Sequence, residues 1–248
     1  MSETTSDRSQ RPLVIAHRGA SADAPENTIA AFELALGQGA DAIALDVHLS
    51  KDDQPVIIRD FTLERTTDGA GPVRERTARE LKRLDAGGWR GAKFRGQRIQ
   101  TLQEVFERFR DRTRFWNELR GGRDLYEGIE ERVVSTIEIY DVLERALVQS
   151  FDHQTLERIQ LLNPEVRLGI LLSEHPLDSL PRGAGALSAV CQDASLMTEH
   201  GVAAIRDAGL QCYVFTVNEP AQMDQLVDWG VSGIITDRPG LLSARLSR

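Results

Sequence analysis

Short β-branched apolar runs alternate with amphipathic helical patterns along almost the whole chain. The predicted strands are Leu13–His17, Ala42–Val47, Pro55–Arg59, Phe115–Leu119, Ala146–Phe151, Arg167–Leu172, Leu187–Cys191, Gln211–Val217 and Gly233–Thr236. The predicted helices are Thr28–Gln38, with Asn27 as its cap, Thr101–Arg110, Gly128–Leu143, Thr155–Leu162, Ser195–Ala208 and Ala221–Trp229. Such alternation over 248 residues predicts an α/β fold closed as a (β/α)8 TIM barrel. A doubly wound open sheet is the alternative, although no glycine-rich dinucleotide fingerprint follows the first strand.

Two segments depart from this alternation. Residues 1–12 are polar and predict a disordered tail, so residues 13–248 form a single barrel domain. Residues of about 60–100 are rich in Arg, Gly, Asp and Thr, and they are too long for an ordinary connection between a strand and a helix. We expect an insertion folded over the barrel mouth. The alternative is that its charges form only a solvated surface.

Composition excludes several classes of protein. A net charge of -8 argues against a nucleic-acid binder, but it leaves room for a small phosphate ligand. No apolar run is long enough to span a membrane and the N-terminus shows no leader pattern, so a cytoplasmic location is expected. Cys191 and Cys212 are predicted to be packed free thiols, with a disulfide between neighbouring strands as the alternative. The sequence does not indicate an oligomeric state.

Several charged residues stand at the ends of predicted strands. His17 and Arg18 directly follow the apolar run LVIA, at the end of a barrel strand where active sites form. Asp46 and Glu118 end two further runs, and two converging carboxylates suit a hard cation such as Mg²⁺ or Ca²⁺. The alternatives are a structural turn at HRG, and salt bridges of the two acids with Arg18 and Arg120.

The ordered segments AHRG, APENTIAAFELALGQGAD, LDVHLSKD, PVIIRD, TLERTTDGAGPV, LDAGGW, TLQEV, QSFD, FTVN and GIITDRP resemble the glycerophosphodiester phosphodiesterase family. The resemblance extends from Ile15 to Pro239. It implies a TIM barrel with a small insertion after the early strands. It also implies hydrolysis of a small-molecule phosphodiester to an alcohol and glycerol 3-phosphate, with a divalent cation as cofactor.

The resemblance also assigns roles to individual residues. His17 is similar to one of the family's two acid–base histidines. Metal ligands are implied at Asp46 and Glu118, with Glu26 of PENT close to the metal. Contacts with the substrate are implied for Arg18, Arg120 and Phe215. Arg120 stands in the place of the family's lysine, and Phe215 in the place of its usual tryptophan.

Two positions depart from the family pattern. Ala44 stands where the first metal-binding glutamate is expected, and Arg59 stands at the catalytic position of the second histidine. A guanidinium does not release its proton in the accessible pH range, although it can bind a phosphate oxygen. We therefore expect weakened Mg²⁺ or Ca²⁺ binding and reduced hydrolysis. One alternative is a family member that binds phosphodiesters without efficient turnover, and another is that Ala44 and Arg59 were introduced into an active parent.

Overall fold

The barrel is closed by eight parallel strands. The computed structural model describes residues 11–174 and 187–247, with the backbone alone at Arg123. The strands are β1 (Leu13–His17), β2 (Ala42–Leu49), β4 (Arg114–Leu119), β5 (Ala146–Ser150), β6 (Arg167–Leu172), β7 (Ala189–Asp193), β8 (Gln211–Phe215) and β9 (Gly233–Thr236). They neighbour one another in this order, and β9 pairs back with β1. The predicted TIM barrel is confirmed.

One predicted strand lies outside the barrel. β3 (Pro55–Ile57) pairs antiparallel with the end of β2, so that Val56 lies opposite His48. Only a short turn joins β2 and β3, which is too short for the crossover that a parallel pair needs. β3 therefore folds back at the mouth of the barrel and leads into the insertion.

The helices surround the barrel in chain order. Their bounds are α1 (Ile29–Gly37), α2 (Ala78–Leu81), α3 (Leu102–Phe109), α4 (Gly122–Leu125), α5 (Ile129–Ile139), α6 (His153–Leu162), α7 (Glu199–Asp207), α8 (Pro220–Asp228) and α9 (Pro239–Leu246). The expected cap of α1 was wrong. The Thr28 hydroxyl accepts from the Ala31 backbone N–H, whereas Asn27 adopts a positive φ and turns its amide toward Asp46. Because Thr28 caps the helix, the Asn27 side chain is available to contact Asp46 at the barrel mouth.

Residues 60–100 contain α2 and three short 3-10 turns. Apolar residues from β3, from the position directly after it and from this segment form a separate buried cluster: Val56, Ile58, Leu63, Val73, Ala78, Leu81, Ala86 and Ile99. The segment also contacts the start of α1, because the Gln97 side-chain oxygen accepts from the Ala30 backbone N–H at 3.1 Å. Residues 60–100 are therefore anchored beside the HRG turn.

The barrel interior is layered, because side chains two apart on a strand point the same way. On β4, Arg114 is at the N-terminal end, Trp116 lies in the middle and Glu118 reaches the mouth. Trp116 packs edge-to-face on Tyr213 of β8 at 5.2 Å between ring centroids. Between its two ends, the interior is therefore filled by these two rings and by the smaller side chains that pack with them.

Three further expectations can be compared with the structure. Cys191 and Cys212 are buried free thiols, as predicted, so the alternative of a disulfide is excluded. Within residues 11–174 and 187–247, no helix is long and apolar enough to cross a membrane. Of the predicted tail, residues 1–10 lie outside the described residues, while Arg11 forms a two-pronged ion pair with Asp41 at 2.7 Å.

Candidate functional site

The ends of the strands surround an open cleft at the C-terminal mouth of the barrel. Five of the residues singled out from the sequence line it: His17, Arg18, Asp46, Glu118 and Phe215. Ala44 lines it as well, so the position at which the resemblance predicts a glutamate faces the cleft. The structure therefore brings together residues that are almost 200 positions apart in the chain.

His17 is held by a carboxylate from the last strand. Its Nδ1 lies 2.8 Å from Asp237 Oδ1, and the Ser21 hydroxyl and the Asn218 amide also donate to Asp237 at 2.8 and 2.6 Å. Burial alone would raise the pKa of Asp237, but these hydrogen bonds and the nearby imidazole outweigh it and lower that pKa. An ionised Asp237 only accepts hydrogen bonds, so His17 carries a proton on Nδ1. Its Nε2, at the far side of the ring, is thereby left able to accept a proton.

Asp46 lies at the centre of the site and is 2 % exposed. Arg18 Nε is 3.2 Å from Asp46 Oδ2, and Arg59 Nε is 3.6 Å from Oδ1. The Asn27 amide also donates to Oδ2 at 2.8 Å. A buried carboxylate requires compensation, and here two guanidinium groups and an amide provide it.

Glu26 is held in the same way. Arg18 Nη1 lies 3.0 Å from it, and Arg65 donates to both of its oxygens at 2.8 Å. Arg65 also donates from Nε and Nη2 to Asp60. Burial by itself would raise the pKa of Glu26, but the hydrogen bonds and charges of Arg65 and Arg18 outweigh it, and the pKa is lowered. Glu26 is therefore an ionised partner of arginines.

Glu118 is the remaining acid of the cleft. Burial and the nearby charge of Asp46 raise its pKa, and the ion pair with Arg120 opposes that shift only in part. The Arg120 guanidinium lies over the Phe61 ring, 5.6 Å from its centroid. Both salt bridges expected as an alternative, Arg18 with Asp46 and Arg120 with Glu118, are thus present.

His48 has no free nitrogen to offer a ligand. Its Nε2 donates to the Arg59 carbonyl at 3.2 Å, and its Nδ1 accepts from the Tyr126 hydroxyl at 2.7 Å. Burial lowers the pKa of His48 to about 4, so the ring is neutral. His48 therefore connects β2 both to Arg59, which follows β3, and to Tyr126, which directly follows α4.

The donor set does not fit a divalent cation. No group of three or more His, Cys, Asp or Glu side chains close enough to hold a metal occurs in the described ranges 11–174 and 187–247. Ala44 supplies no oxygen, and each of the three predicted ligands, Glu26, Asp46 and Glu118, is already paired with arginine. With Asp60, four carboxyl groups face four guanidinium groups: Arg18, Arg59, Arg65 and Arg120. The charge that a cation would supply is therefore already present as arginine.

Three contributors to the site were missed at the sequence level. Asp237 directly follows the apolar run of β9, so the rule that found Asp46 and Glu118 could have found it. Asn218 of FTVN donates to Asp237 and could have been found from its place after β8. Arg65 had no such signal, because it reaches Glu26 from 39 residues away through the fold of residues 60–100.

Comparisons with known proteins agree with this architecture. The model of the glycerophosphoryl diester phosphodiesterase family matches residues 17–241. A glycerophosphodiester phosphodiesterase of Caldanaerobacter subterraneus subsp. tengcongensis is 40% identical over 237 residues, which is 94% of this chain and 96% of that protein. One of Bacillus subtilis is 33% identical over 256 residues, with 93% and 85% covered.

Solved structures show the same likeness. The crystal structure of a glycerophosphodiester phosphodiesterase from Agrobacterium tumefaciens superposes with a TM-score of 0.83 at 33% identity, covering 94% of this chain and 99% of that one. A phosphodiesterase of Oleispira antarctica, in complex with its product sn-glycerol-3-phosphate, gives 0.87 at 31% identity, with 96% and 98% covered.

Proposed function

Because this chain belongs to the glycerophosphoryl diester phosphodiesterase family, we propose that its cleft binds glycerophosphodiesters and hydrolyses them slowly to an alcohol and glycerol 3-phosphate, with arginines in the place of a divalent cation. The observation that carries this proposal is the His17–Asp237 pair in a cleft whose acids are paired with Arg18, Arg59 and Arg120. The glycerol 3-phosphate bound to the Oleispira relative supports the class of ligand.

The phosphate binds to guanidinium groups. Arg18, Arg59 and Arg120 can each donate two parallel hydrogen bonds to phosphate oxygens, which suits their fork of donors. The same donors stabilise the negative charge that builds on those oxygens during attack. A phosphate must, however, compete with Asp46 and Glu118 for them. Phe215, packed against Phe151, offers an apolar surface to the organic part of the diester.

Hydrolysis needs two proton transfers. Water attacks phosphorus as the P–O bond to the leaving alcohol breaks; one proton leaves the water and one reaches the alkoxide. His17 supplies one of these transfers through Nε2, while Asp237 holds the ring and stabilises its charged form. Arg59 does not exchange a proton near neutral pH. Loss of one such group typically costs about 10² to 10⁴ in rate, so slow turnover is expected.

The test is release of glycerol 3-phosphate from glycerophosphoethanolamine, with Mg²⁺, Mn²⁺ or Ca²⁺ and with chelator. We expect slow release that is the same in every condition and is lost in His17→Ala. Release that requires a cation would show that the proposal of a metal-independent site is wrong. Release no greater than that of His17→Ala would show that hydrolysis is wrong.

Binding without turnover is the second candidate. Ala44 and Arg59 together favour it, because they remove a metal ligand and a proton-transfer group while keeping the site cationic. Calorimetry with glycerophosphoethanolamine and glycerol 3-phosphate separates the two functions. Binding with no release supports the second function, and absence of binding by either compound contradicts both.

A further inference from the structure

The N-terminal end of the barrel, opposite the cleft, holds an open cavity of about 440 Å³. Arg11, Arg114, Arg167 and Arg206 line it, and no acidic side chain is among the described residues of its lining. Such a lining is unexpected in a chain whose net charge is -8. The cavity therefore concentrates positive charge against the overall balance of the protein.

Strand register explains why two of these arginines converge. Arg114 is the first residue of β4 and Arg167 is the first residue of β6. Trp116 of β4 and Leu171 of β6 point into the barrel. Arg114 and Arg167 lie an even number of residues before them, so they are on the same face of their strands and form the layer of side chains at the N-terminal end of the barrel. Both also lie close enough to the Tyr213 hydroxyl to influence its charge. Tyr213 thus forms the floor between them.

The third arginine comes from a helix. Arg206 is in the last turn of α7. Its guanidinium lies over Gly230, where an added Cβ would come within 2.6 Å of Nη1. Gly230 also has a φ of +77°, which disfavours any other residue. The backbone at Gly230 therefore leaves the space in which the Arg206 side chain reaches the cavity.

Three of the four charges have no carboxylate partner among the described residues. Arg11 is paired with Asp41, but Arg114, Arg167 and Arg206 form no ion pair within 4.0 Å in residues 11–174 and 187–247. The arginines of the cleft differ, since each of them is paired. Like charges that converge without counter-charges repel one another, and a bound anion removes that repulsion.

We propose that this cavity binds a small anion carrying two or more phosphate groups. Separate guanidinium forks can each bind a different phosphate, and Arg is the residue best suited to this geometry. The volume exceeds what a single phosphate occupies. The packed interior around Trp116 and Tyr213 separates the cavity from the cleft, so the two sites are spatially distinct.

Calorimetry with tripolyphosphate, in chelator and at low salt, tests the proposal. We expect saturable binding that weakens at least about tenfold in Arg114→Gln/Arg167→Gln/Arg206→Gln, because hydrogen bonds to charged groups are individually worth about tenfold or more. The matched control is Arg76→Gln/Arg79→Gln/Arg83→Gln, which removes three exposed charges from the 60–100 segment. Its affinity for tripolyphosphate should lie within about twofold of that of the parent protein, because salt screens exposed charges that are distant from the cavity. Equal losses of affinity in the two variants would show that tripolyphosphate is attracted by positive charge anywhere on the protein rather than by the cavity, and would overturn the proposal.

Two further variants keep the test decisive. If the triple variant does not fold by circular dichroism, Arg206→Glu is used, because this exposed side chain is not needed for the barrel interior. Unchanged binding by folded Arg206→Glu would contradict the proposal.

The variant Arg18→Gln/Arg59→Gln tests where the anion binds. It should keep tripolyphosphate binding, and loss of binding in this variant would place the anion in the cleft instead. Among sources of the phosphates, tighter binding of ATP than of tripolyphosphate identifies a nucleotide, and the reverse order identifies an inorganic polyphosphate.

Discussion

At the level of single residues, two side chains determine what the cleft can do. Ala44 leaves an empty position inside the cleft, and Arg59 places a permanent charge beside Asp46. Each change alone would weaken a metal site. Relative to the family pattern, both make the cleft more positive, because one carboxylate is absent and one guanidinium is present, and together they can offset the charge of an absent divalent cation.

Reversing both changes should create metal-dependent hydrolysis. In Ala44→Glu/Arg59→His, a third carboxylate and a second proton-transfer group return to the cleft, so turnover with Mg²⁺ or Ca²⁺ should rise by about 10² to 10⁴. Glycerol 3-phosphate release measures it. Ala44→Gln/Arg59→His is the matched control, equal in size but uncharged, and should show little metal dependence. An unchanged rate in the first variant would mean that other positions limit the reaction.

Asp237 should matter both for stability and for hydrolysis. Asp237→Asn replaces an ionised acceptor of three side-chain hydrogen bonds with an amide, and a cost of about 1 to 3 kcal/mol in unfolding free energy is expected. Activity should fall by about tenfold or more, because His17 loses the partner that orients it. Urea unfolding and product release measure the two effects. The exposed Asp228→Asn serves as control; equal effects in both variants would show that Asp237 has no special role.

The residues of the cleft show how far sequence reasoning reaches. A charged residue directly after an apolar strand can be placed at the barrel mouth from periodicity alone, and His17, Asp46 and Glu118 were placed in this way. The pairing of Arg65 with Glu26 depends on the irregular fold of residues 60–100. No periodicity describes such a segment, so that contact could be found only from coordinates.

At the level of elements, the barrel strands were predicted to within two residues because their apolar runs are bounded by polar turns. The direction of β3 was not predicted, since an apolar run carries no information about the strand it pairs with. Helix α4 has four residues, and α9 begins at the proline of DRP, where no separate apolar pattern stood out. Short elements are determined by tertiary contacts rather than by period.

The junction of β2, β3 and α4 should make stability depend on pH. His48 is buried and neutral with a folded pKa of about 4, against 6.5 for an unperturbed ring. Between those values the unfolded chain binds a proton that the folded chain does not, so stability is full above pH 6.5 and is lost as the pH falls toward 4. The loss is about 3 kcal/mol at most.

Urea unfolding at neutral pH and near pH 5 measures this dependence. His48→Gln keeps a donor and an acceptor but has no proton to gain, so its stability should change less over the same range. The exposed His200→Gln is the control and should behave like the parent protein. A parent protein whose stability is flat over this range would show that His48 is not the group responsible.

At the level of the whole molecule, the family, the fold and the altered cleft give one coherent picture. The chain matches its relatives over nearly their full length and keeps their barrel. The cleft lies at the mouth of that barrel, where its lining residues are carried by the strand ends. The family can therefore be recognised from the strands and helices of the barrel, whereas the chemistry of the cleft depends on a few side chains.

Metal independence should be measurable on the entire protein. A cation present at about 100 times its Kd stabilises the folded state by about 2.7 kcal/mol, which raises Tm by several degrees in a protein of this size. We expect no such shift with millimolar Mg²⁺ or Ca²⁺, and none with chelator. Ala44→Glu/Arg59→His should gain the shift. A cation-dependent Tm in the parent protein would contradict the assignment of the cleft as a metal-free site.

The arginines of the cleft are paired, whereas Arg114, Arg167 and Arg206 at the other end of the barrel have no carboxylate partner among the described residues, and this contrast has a consequence for the effect of ionic strength. An anion that enters the cleft displaces Asp46 and Glu118 from their arginines. Salt weakens the ion pairs that are broken as well as the ion pairs that the anion forms, so its two effects on affinity largely cancel. An anion entering the opposite cavity displaces only water and mobile ions. Affinity at the cleft should therefore vary little between dilute and physiological buffer, whereas affinity at the other end should fall steeply. One protein thus carries two anion receptors with different sensitivities to its solvent.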